Sequence, residues 1–253
     1  MFIFEMLNLG EGFQKYFEIV PALTPELKNE VFRIRHDVYC EELKFEPVRP
    51  DKRETDEYDA HSLHCLIRNI NNGEFAGCTR LVLTRPGNPL DFLPFEKTCA
   101  KTLDRTIIDP QRMPRDRIGE VSRLAISAKY RRRKGEEHDL KAFADDSFGD
   151  AKRPRFPYIP VGLYLGTIEL ALRHGIDTIF VLTAPRLASH FARLGAKVTQ
   201  IGGPVEHRGR RVPSMMDCKG IINGLNFVTR PLYKVIAAEV DEQLRRQTAL
   251  LRE

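Results

Sequence analysis

The sequence predicts an α/β fold, a mixed sheet with helices packed on both of its faces. Three observations carry this. Short apolar runs with strand periodicity alternate with longer runs of helical periodicity. An Asn71-Asn-Gly73 turn separates two of the strand runs, as in a hairpin. The 253 residues are 42% hydrophobic, ample for one large core. No internal repeat or domain boundary interrupts the pattern, so residues 1–253 read as a single domain.

Residues 2–15 are expected to form a short amphipathic helix, and residues 16–23 (YFEIVPAL) a strand despite Pro21. Thr24-Pro25-Glu26 offers an N-cap with proline at the first helical position. The helix it opens runs to about Leu43, with Leu27, Val31, Ile34 and Val38 at helical spacing. Residues 44–60 hold Pro47, Pro50 and a dense run of charges, and read as a loop. Residues 63–70 (LHCLIRNI) and 75–83 (FAGCTRLVL) are the two strands of the hairpin.

Residues 85–117 carry five prolines and are expected to be irregular, with one short helix near 95–103. Residues 121–126 (VSRLAI) form the next strand, followed at once by the basic run Lys129-Tyr-Arg131-Arg132-Arg133-Lys134-Gly135. The charged segment 136–158 reads as an inserted loop. Residues 161–174 are a strongly apolar helix stopped by Gly175, and 178–183 (TIFVLT) a buried strand. A helix at 186–194 ended by Gly195, strands at 196–201 and 212–219, and a C-terminal helix at 232–251 complete the chain; Val235, Ile236, Val240 and Leu244 share one face of the last.

Lys and Arg number 40 against 35 Asp and Glu, a net charge of +5 that suits an acidic partner without requiring one. The five cysteines, with no Cys-x-x-Cys pair and no zinc-type Cys/His spacing, point to a reduced, cytoplasmic chain and to no metal site. The apolar start is broken by Glu5 and lacks a basic segment, which argues against a signal peptide. No stretch reaches the roughly 18 apolar residues of a membrane span, so no integral membrane association is expected.

The charged residues set among apolar neighbours are the main functional signal. Arg35 lies in the first long helix, Arg80 and Arg123 in strands, Asp56 and Asp59 in the loop Glu54-Thr-Asp-Glu-Tyr-Asp59, and Glu120 at the head of a strand. Burying such groups is too costly unless they meet one another, so they are expected to form one site.

The order of elements, with a basic loop between a central strand and an apolar helix, resembles the GNAT N-acyltransferase superfamily. That resemblance implies a mixed, mostly antiparallel central sheet flanked by helices on both faces. Within it, Arg35 and Tyr39, then Asp56 and Asp59, then Arg80, then Glu120 and Arg123 resemble the motif of the acyl-homoserine-lactone synthases. It equally resembles the N-acyl amino acid synthases and the exosortase-associated acyltransferases. The resemblance spans about residues 16–200 and is strongest over 30–127. Where lactone synthases usually carry a tryptophan, this chain has Phe45 and no tryptophan anywhere. That departure, with the long 136–158 segment, favours the two other branches.

The resemblance implies transfer of a fatty acyl group from an acyl-phosphopantetheine thioester, on acyl carrier protein ahead of coenzyme A, to the amino group of an amino acid or similar small amine. No permanently bound cofactor is expected. Direct attack needs a base for the amine proton, and Glu120 is the candidate. Its other reading, a carboxylate pairing Arg35 or Arg80, stands beside this one. Arg35, Tyr39, Phe45, Asp56, Asp59, Arg80 and Arg123 would shape the acceptor side, with structural pairing slightly ahead of substrate contact for Arg80 and Arg123.

On the donor side, a backbone N–H among Leu124, Ala125, Ile126 and Ser127 would steady the oxyanion. Arg131, Arg132, Arg133, Lys134 and Gly135 would cradle phosphate or dock an acidic carrier protein, extended by Arg153, Arg155, Arg208, Arg210 and Arg211; a solvated loop is the plain alternative. Leu163, Leu165, Ile168, Leu170, Phe180 and Leu182 read as core more than as an acyl channel, and Cys65 and Cys78 as core. Three other functions stand as alternatives: a lactone synthase consuming S-adenosylmethionine, a basic nucleic-acid-binding module, and an acyl-sensing scaffold without activity. No nucleic-acid-binding signature supports the second.

Overall fold

The computed structural model describes residues 9–85, 87–88, 91–131, 157–193 and 195–250. The chain opens with α1 (Leu9–Gln14) and β1 (Phe17–Pro21), then α2 (Pro25–Arg35), capped by Thr24 Oγ1 accepting the Leu27 N–H at 3.4 Å. The helix does not end at Arg35; it widens into a π-helical segment, His36–Glu42. The hairpin strands are β2 (Ser62–Asn69) and β3 (Phe75–Leu83), with Gly73 at φ 72° in the turn. After the short α3 (Pro94–Thr98), β4 (Ile118–Ile126) starts three residues earlier than the apolar run suggests, and α4 (Ala128–Arg131) follows.

Beyond the segment 132–156, which lies outside the described residues, come α5 (Tyr158–Arg173), β5 (Thr178–Thr183) and α6 (Pro185–Arg193). The final strands are β6 (Thr199–Gln200), β7 (Val205–Glu206) and β8 (Arg210–Asp217), and the chain closes with α7 (Cys218–Gly224) and α8 (Thr229–Leu250). The expected strand at 196–201 shrinks to two residues, and β7 and α7 were not expected. Both are too short to leave a periodic signal.

The strands form one sheet in the order β1-β2-β3-β4-β5-β8-β6, with β7 paired to β8. Every pairing is antiparallel except β4 with β5. One face carries the main core, where α5 is buried nearly all round, as its continuous apolar sequence requires. Glycine brings α5 close to the sheet: a Cβ on Gly166 would fall 2.7 Å from Ile19 Cγ2 and 3.1 Å from Cys65 Sγ. The other face carries two smaller clusters, one under α2 around Val31, Leu66 and Cys78, the other under α3 around Val82, Phe95 and Phe180. Leu163, Leu165, Ile168, Leu170, Phe180, Leu182, Cys65 and Cys78 all pack in these clusters. Among the described residues no helix is long and apolar enough to cross a membrane.

The irregularity of β4 positions the site. Arg80 pairs with Ser122 and Cys78 with Ala125, so Thr79 alone faces both Arg123 and Leu124. This is a β-bulge, and Arg123 sits in it at φ 53°. Ordinary alternation would send Arg123 to the opposite face from Ser122. The bulge instead places both on the face that bears Arg80. Beyond it Leu124 and Ile126 turn to the main core, and Ala125 to the cluster under α2. On its other side β4 pairs with β5 only over residues 118–121, so residues 122–126 have no strand partner there.

Candidate active site

The loop between α2 and β2 delivers three carboxylates to the arginines of the sheet. Its backbone is pinned first: the Glu54 N–H donates to Phe32 O at 3.0 Å, tying the loop to α2. Asp59 Oδ2 accepts the Asp56 N–H at 2.7 Å, and Asp56 Oδ1 accepts the Tyr58 N–H at 3.0 Å, local turns of the kind aspartate favours. The side chains then interlock.

Arg35 Nε donates to Glu54 Oε2 at 2.5 Å, and its two terminal nitrogens donate to both oxygens of Asp59 at 2.6 and 3.1 Å. Arg80 Nη1 reaches Asp56 Oδ1 at 2.6 Å and Asp59 Oδ1 at 3.0 Å, while its Nε donates to Ser122 Oγ at 3.1 Å. Arg123 Nη2 bridges Glu54 Oε1 at 3.2 Å and Asp56 Oδ2 at 3.0 Å. Three cations meet three anions, and Arg35, Arg80 and Glu54 are buried.

Charge balance holds this network ionised. Burial pushes the Asp59 carboxyl up, but the hydrogen bonds and charges of Arg35 and Arg80 outweigh it and hold the group well below the usual carboxylate range. Glu54 and Asp56 are lowered in the same way, against burial, by Arg35 with Arg123 and by Arg80 with Arg123 respectively. His64, across the strand pair from Arg80, lies 3.8 Å from Asp59 Oδ1. Burial drives its pKa down to about 3, so it is neutral and forms no ion pair with Asp59. Among the described residues neither of its ring nitrogens has a hydrogen-bond partner.

Tyr39 lies at the edge of the network, under the Arg123 guanidinium at 5.7 Å from ring centroid to Cζ. Its hydroxyl donates to Leu124 O at 2.8 Å, and burial pushes its pKa up to about 12, so it stays a donor at neutral pH. Phe45 is partly exposed, with its N–H bonded to Tyr39 O. Arg208, from the turn between β7 and β8, lies over the Phe45 ring and pairs with Glu46.

Six of the seven residues expected to converge do so: Arg35, Tyr39, Asp56, Asp59, Arg80 and Arg123. Glu120 stands apart. It shares a face with Ser122, but its Oε2 accepts the Phe95 N–H at 2.7 Å, and it pairs with neither Arg35 nor Arg80. That sets aside the alternative reading of Glu120 as an ion-pair partner of Arg35 or Arg80. Burial, against the Phe95 N–H and the charges of Arg80 and Arg123, raises its pKa to about 8.

Three further participants were not singled out as site residues, namely Glu54, Ser122 and His64. Glu54 was legible as a carboxylate of the same acidic loop. Ser122 and His64 left no signal, because their placement depends on the bulge and on strand register.

On the donor side, the Ser127 N–H is bonded to Ala76 O at 3.0 Å, and Ala125, two residues back and paired with Cys78, turns its N–H to the same neighbouring strand; Leu124 and Ile126 remain as candidate oxyanion donors. Arg131 folds back, with Nε donating to Ile126 O at 2.6 Å and a pairing to Glu42. Arg132, Arg133, Lys134 and Gly135, like Arg153 and Arg155, lie outside the described residues. Among the described residues no group of three or more His, Cys, Asp or Glu is arranged to hold a metal ion.

Residues 34–139 match the family model of the acetyltransferase (GNAT) domain. No curated protein gives a significant match. Among solved structures, the chain is similar to the AHL synthase LasI, with 18% identity, a TM-score of 0.55 and coverage of 83% of this chain and 95% of that one. It is similar to BjaI, a CoA-dependent acyl-homoserine lactone synthase solved with SAM and isopentyl-CoA, at 20% identity, TM-score 0.52 and 89% coverage of each chain. It is also similar to FeeM, an N-acyl amino acid synthase from uncultured soil microbes, at 14% identity, TM-score 0.53 and coverage of 84% and 97%. The GNAT-like arrangement of sheet and helices is thus common to all four.

Proposed function

We propose that this chain, which carries an acyltransferase domain of the GNAT type, moves a fatty acyl group from an acyl thioester to the amino group of an amino acid or similar small amine. The observation that carries the reading is the bulged half of β4. Its residues 122–126 lack a partner on the β5 side, and the Arg35-Arg80-Arg123 network stands against the bulge. An extended acyl-pantetheine arm fits a gap between diverging strands, where the N–H groups of Leu124 and Ile126 can meet its polar groups. The likeness to synthases that act on acyl thioesters supports the same assignment.

In this reading the amine attacks the thioester carbonyl directly, through a tetrahedral intermediate. The amine must shed a proton, and Glu120 accepts it: a carboxyl with a pKa of about 8 is matched to an amine near neutrality. Among the described residues Glu120 Oε1 has no hydrogen-bond partner, which leaves that oxygen for the proton. Arg35, Arg80 and Arg123 with their carboxylates hold the wall of the acceptor pocket, and Tyr39 fixes Leu124. The donor is acyl carrier protein ahead of coenzyme A, and the work is cytoplasmic.

The experiment is to incubate the purified protein with acyl carrier protein or coenzyme A thioesters and a panel of amino acids, and to identify products by mass spectrometry. N-acyl amino acids formed without S-adenosylmethionine are the expected result. Product formed only with S-adenosylmethionine would make it a lactone synthase instead. No thiol release from any thioester would end the acyl-transfer reading.

A further inference from the structure

The turn between β7 and β8 brings a second group of cations to the site. Arg208 and Gly209 adopt positive φ, 54° and 95°, and fold the hairpin tightly so that His207, Arg208 and Arg211 approach Tyr39, Phe45 and Glu46. Most of these charges are already matched. Arg208 pairs with Glu46, and Arg123 pairs with Glu54 and Asp56. The carboxylate of Glu206 is turned to the Gly209 N–H at 3.0 Å.

Arg211 is the exception. It is half-buried, and its hydrogen bonds go only to backbone carbonyls, Nε to His207 O at 3.4 Å and Nη2 to Arg208 O at 3.1 Å. No carboxylate among the described residues pairs with it. It stands within electrostatic reach of Tyr39 and Arg208, and burial followed by the repulsion of Arg208 lowers its pKa, while Tyr39 works the other way. His207, lowered by burial and by Arg208, Arg123 and Arg211, contributes no compensating charge of the opposite sign. Glu206 is the one carboxylate named within its electrostatic reach, and it is bonded to the Gly209 N–H instead; a half-buried guanidinium with no carboxylate hydrogen-bonded to it among the described residues is completed by an anionic ligand.

We propose that Arg211 binds the carboxylate of the acceptor, so that the acceptor is an α-amino acid or other amino carboxylate and not a simple amine. The proposal rests on the acyl-transfer reading and narrows it. The geometry is consistent with the chemistry: the guanidinium stands within electrostatic reach of Tyr39, whose hydroxyl is bonded to Leu124 O in the unpartnered half of β4, where the thioester carbonyl would lie. A carboxylate there would leave the acceptor's amino group to face that carbonyl. The same cation could serve a phosphate of the donor, and the test separates the two sources.

Isothermal titration of the full chain with an N-acyl amino acid, with its methyl ester and with coenzyme A is the measurement. The wild type should prefer the free carboxylate by about 10- to 100-fold, the range of a charge-assisted hydrogen bond. Arg211→Gln should abolish that preference while still binding the ester as the wild type does. Lys219→Gln, the same charge change at an exposed residue of α7, should keep it. Retention of the preference in Arg211→Gln overturns the proposal and leaves acyl transfer standing. Loss of affinity for coenzyme A with the carboxylate preference intact would assign Arg211 to the donor's phosphate, and overturns it equally. Binding of none of the three by the wild type, together with no thiol release from acyl thioesters, would remove the acyl-transfer reading and this proposal with it.

Discussion

Arg35 and Asp59 meet through two hydrogen bonds, Nη1 to Oδ1 at 2.6 Å and Nη2 to Oδ2 at 3.1 Å, and the same Oδ1 takes Arg80 Nη1 at 3.0 Å. One loop carboxylate therefore ties the first long helix to the sheet. The fork geometry satisfies a guanidinium that has no access to water.

Asp59→Asn removes the charge and keeps the shape. Arg35 is left with Glu54, Arg80 with Asp56, and the buried cations outnumber their anions. Breaking one side of a buried network of this kind costs about 3–5 kcal/mol. Urea denaturation should show a loss in that range, and a variant as stable as the wild type would show that the network contributes little net stability.

The same three carboxylates set the acid limit of the fold. Asp59, Glu54 and Asp56 all have folded pKa values below their unfolded ones, so the unfolded chain binds more protons as pH falls. Their contribution is present above the ordinary carboxylate pKa, near 4, and is lost as pH drops below it. Thermal melts should fall as pH drops below about 5 and these carboxylates take up protons. Asp59→Asn should flatten that fall.

The succession of strands along the chain, the hairpin and the meeting of Arg35, Asp56, Asp59, Arg80 and Arg123 were legible because each leaves a local mark: period-two apolarity, a charge in an apolar run, or an acidic loop between such runs. Three features were not. The face of Arg123 depends on the bulge opposite Thr79, and alternation counted along β4 gives the wrong side. Glu120 looked like another member of the cluster, yet it caps the start of α3 at Phe95, a partner 25 residues away with no charge to advertise it. Arg211 reads as one basic residue in a basic segment; its lack of a carboxylate is a fact of the folded hairpin alone.

The C-terminal helix is tied to the edge of the sheet by Gln247, whose Oε1 accepts the Leu23 N–H at 3.2 Å and whose Nε2 donates to Pro21 O at 2.8 Å. The side chain thus satisfies two backbone groups just where β1 ends. Gln247→Ala leaves both without that partner, and should destabilise by about 1–3 kcal/mol in denaturant melts. Acyl transfer at 25 °C should be unchanged, since the contact lies on the far edge strand of the sheet from β5.

Glu120 gives the sharpest test, because base and cap make different demands on it. As a base it must be ionised, so with a pKa of about 8 the value of kcat/KM should climb with pH and level off above about 8. Glu120→Gln keeps an oxygen for the Phe95 N–H but cannot take a proton; activity should drop by about 10²–10⁴-fold and the ionisation should vanish from the profile. Stability runs in the opposite sense. The folded pKa of about 8 lies above the ordinary 4.5, so the folded protein holds the extra proton between those values. That contribution is complete below 4.5 and is lost as pH rises through 8. Wild-type melts should therefore weaken as pH rises from about 4.5 to about 8, whereas Glu120→Gln, neutral throughout, should lose that part of the decline. A variant that loses the pH dependence of stability but keeps full activity would establish Glu120 as a buried cap and send the search for the base elsewhere.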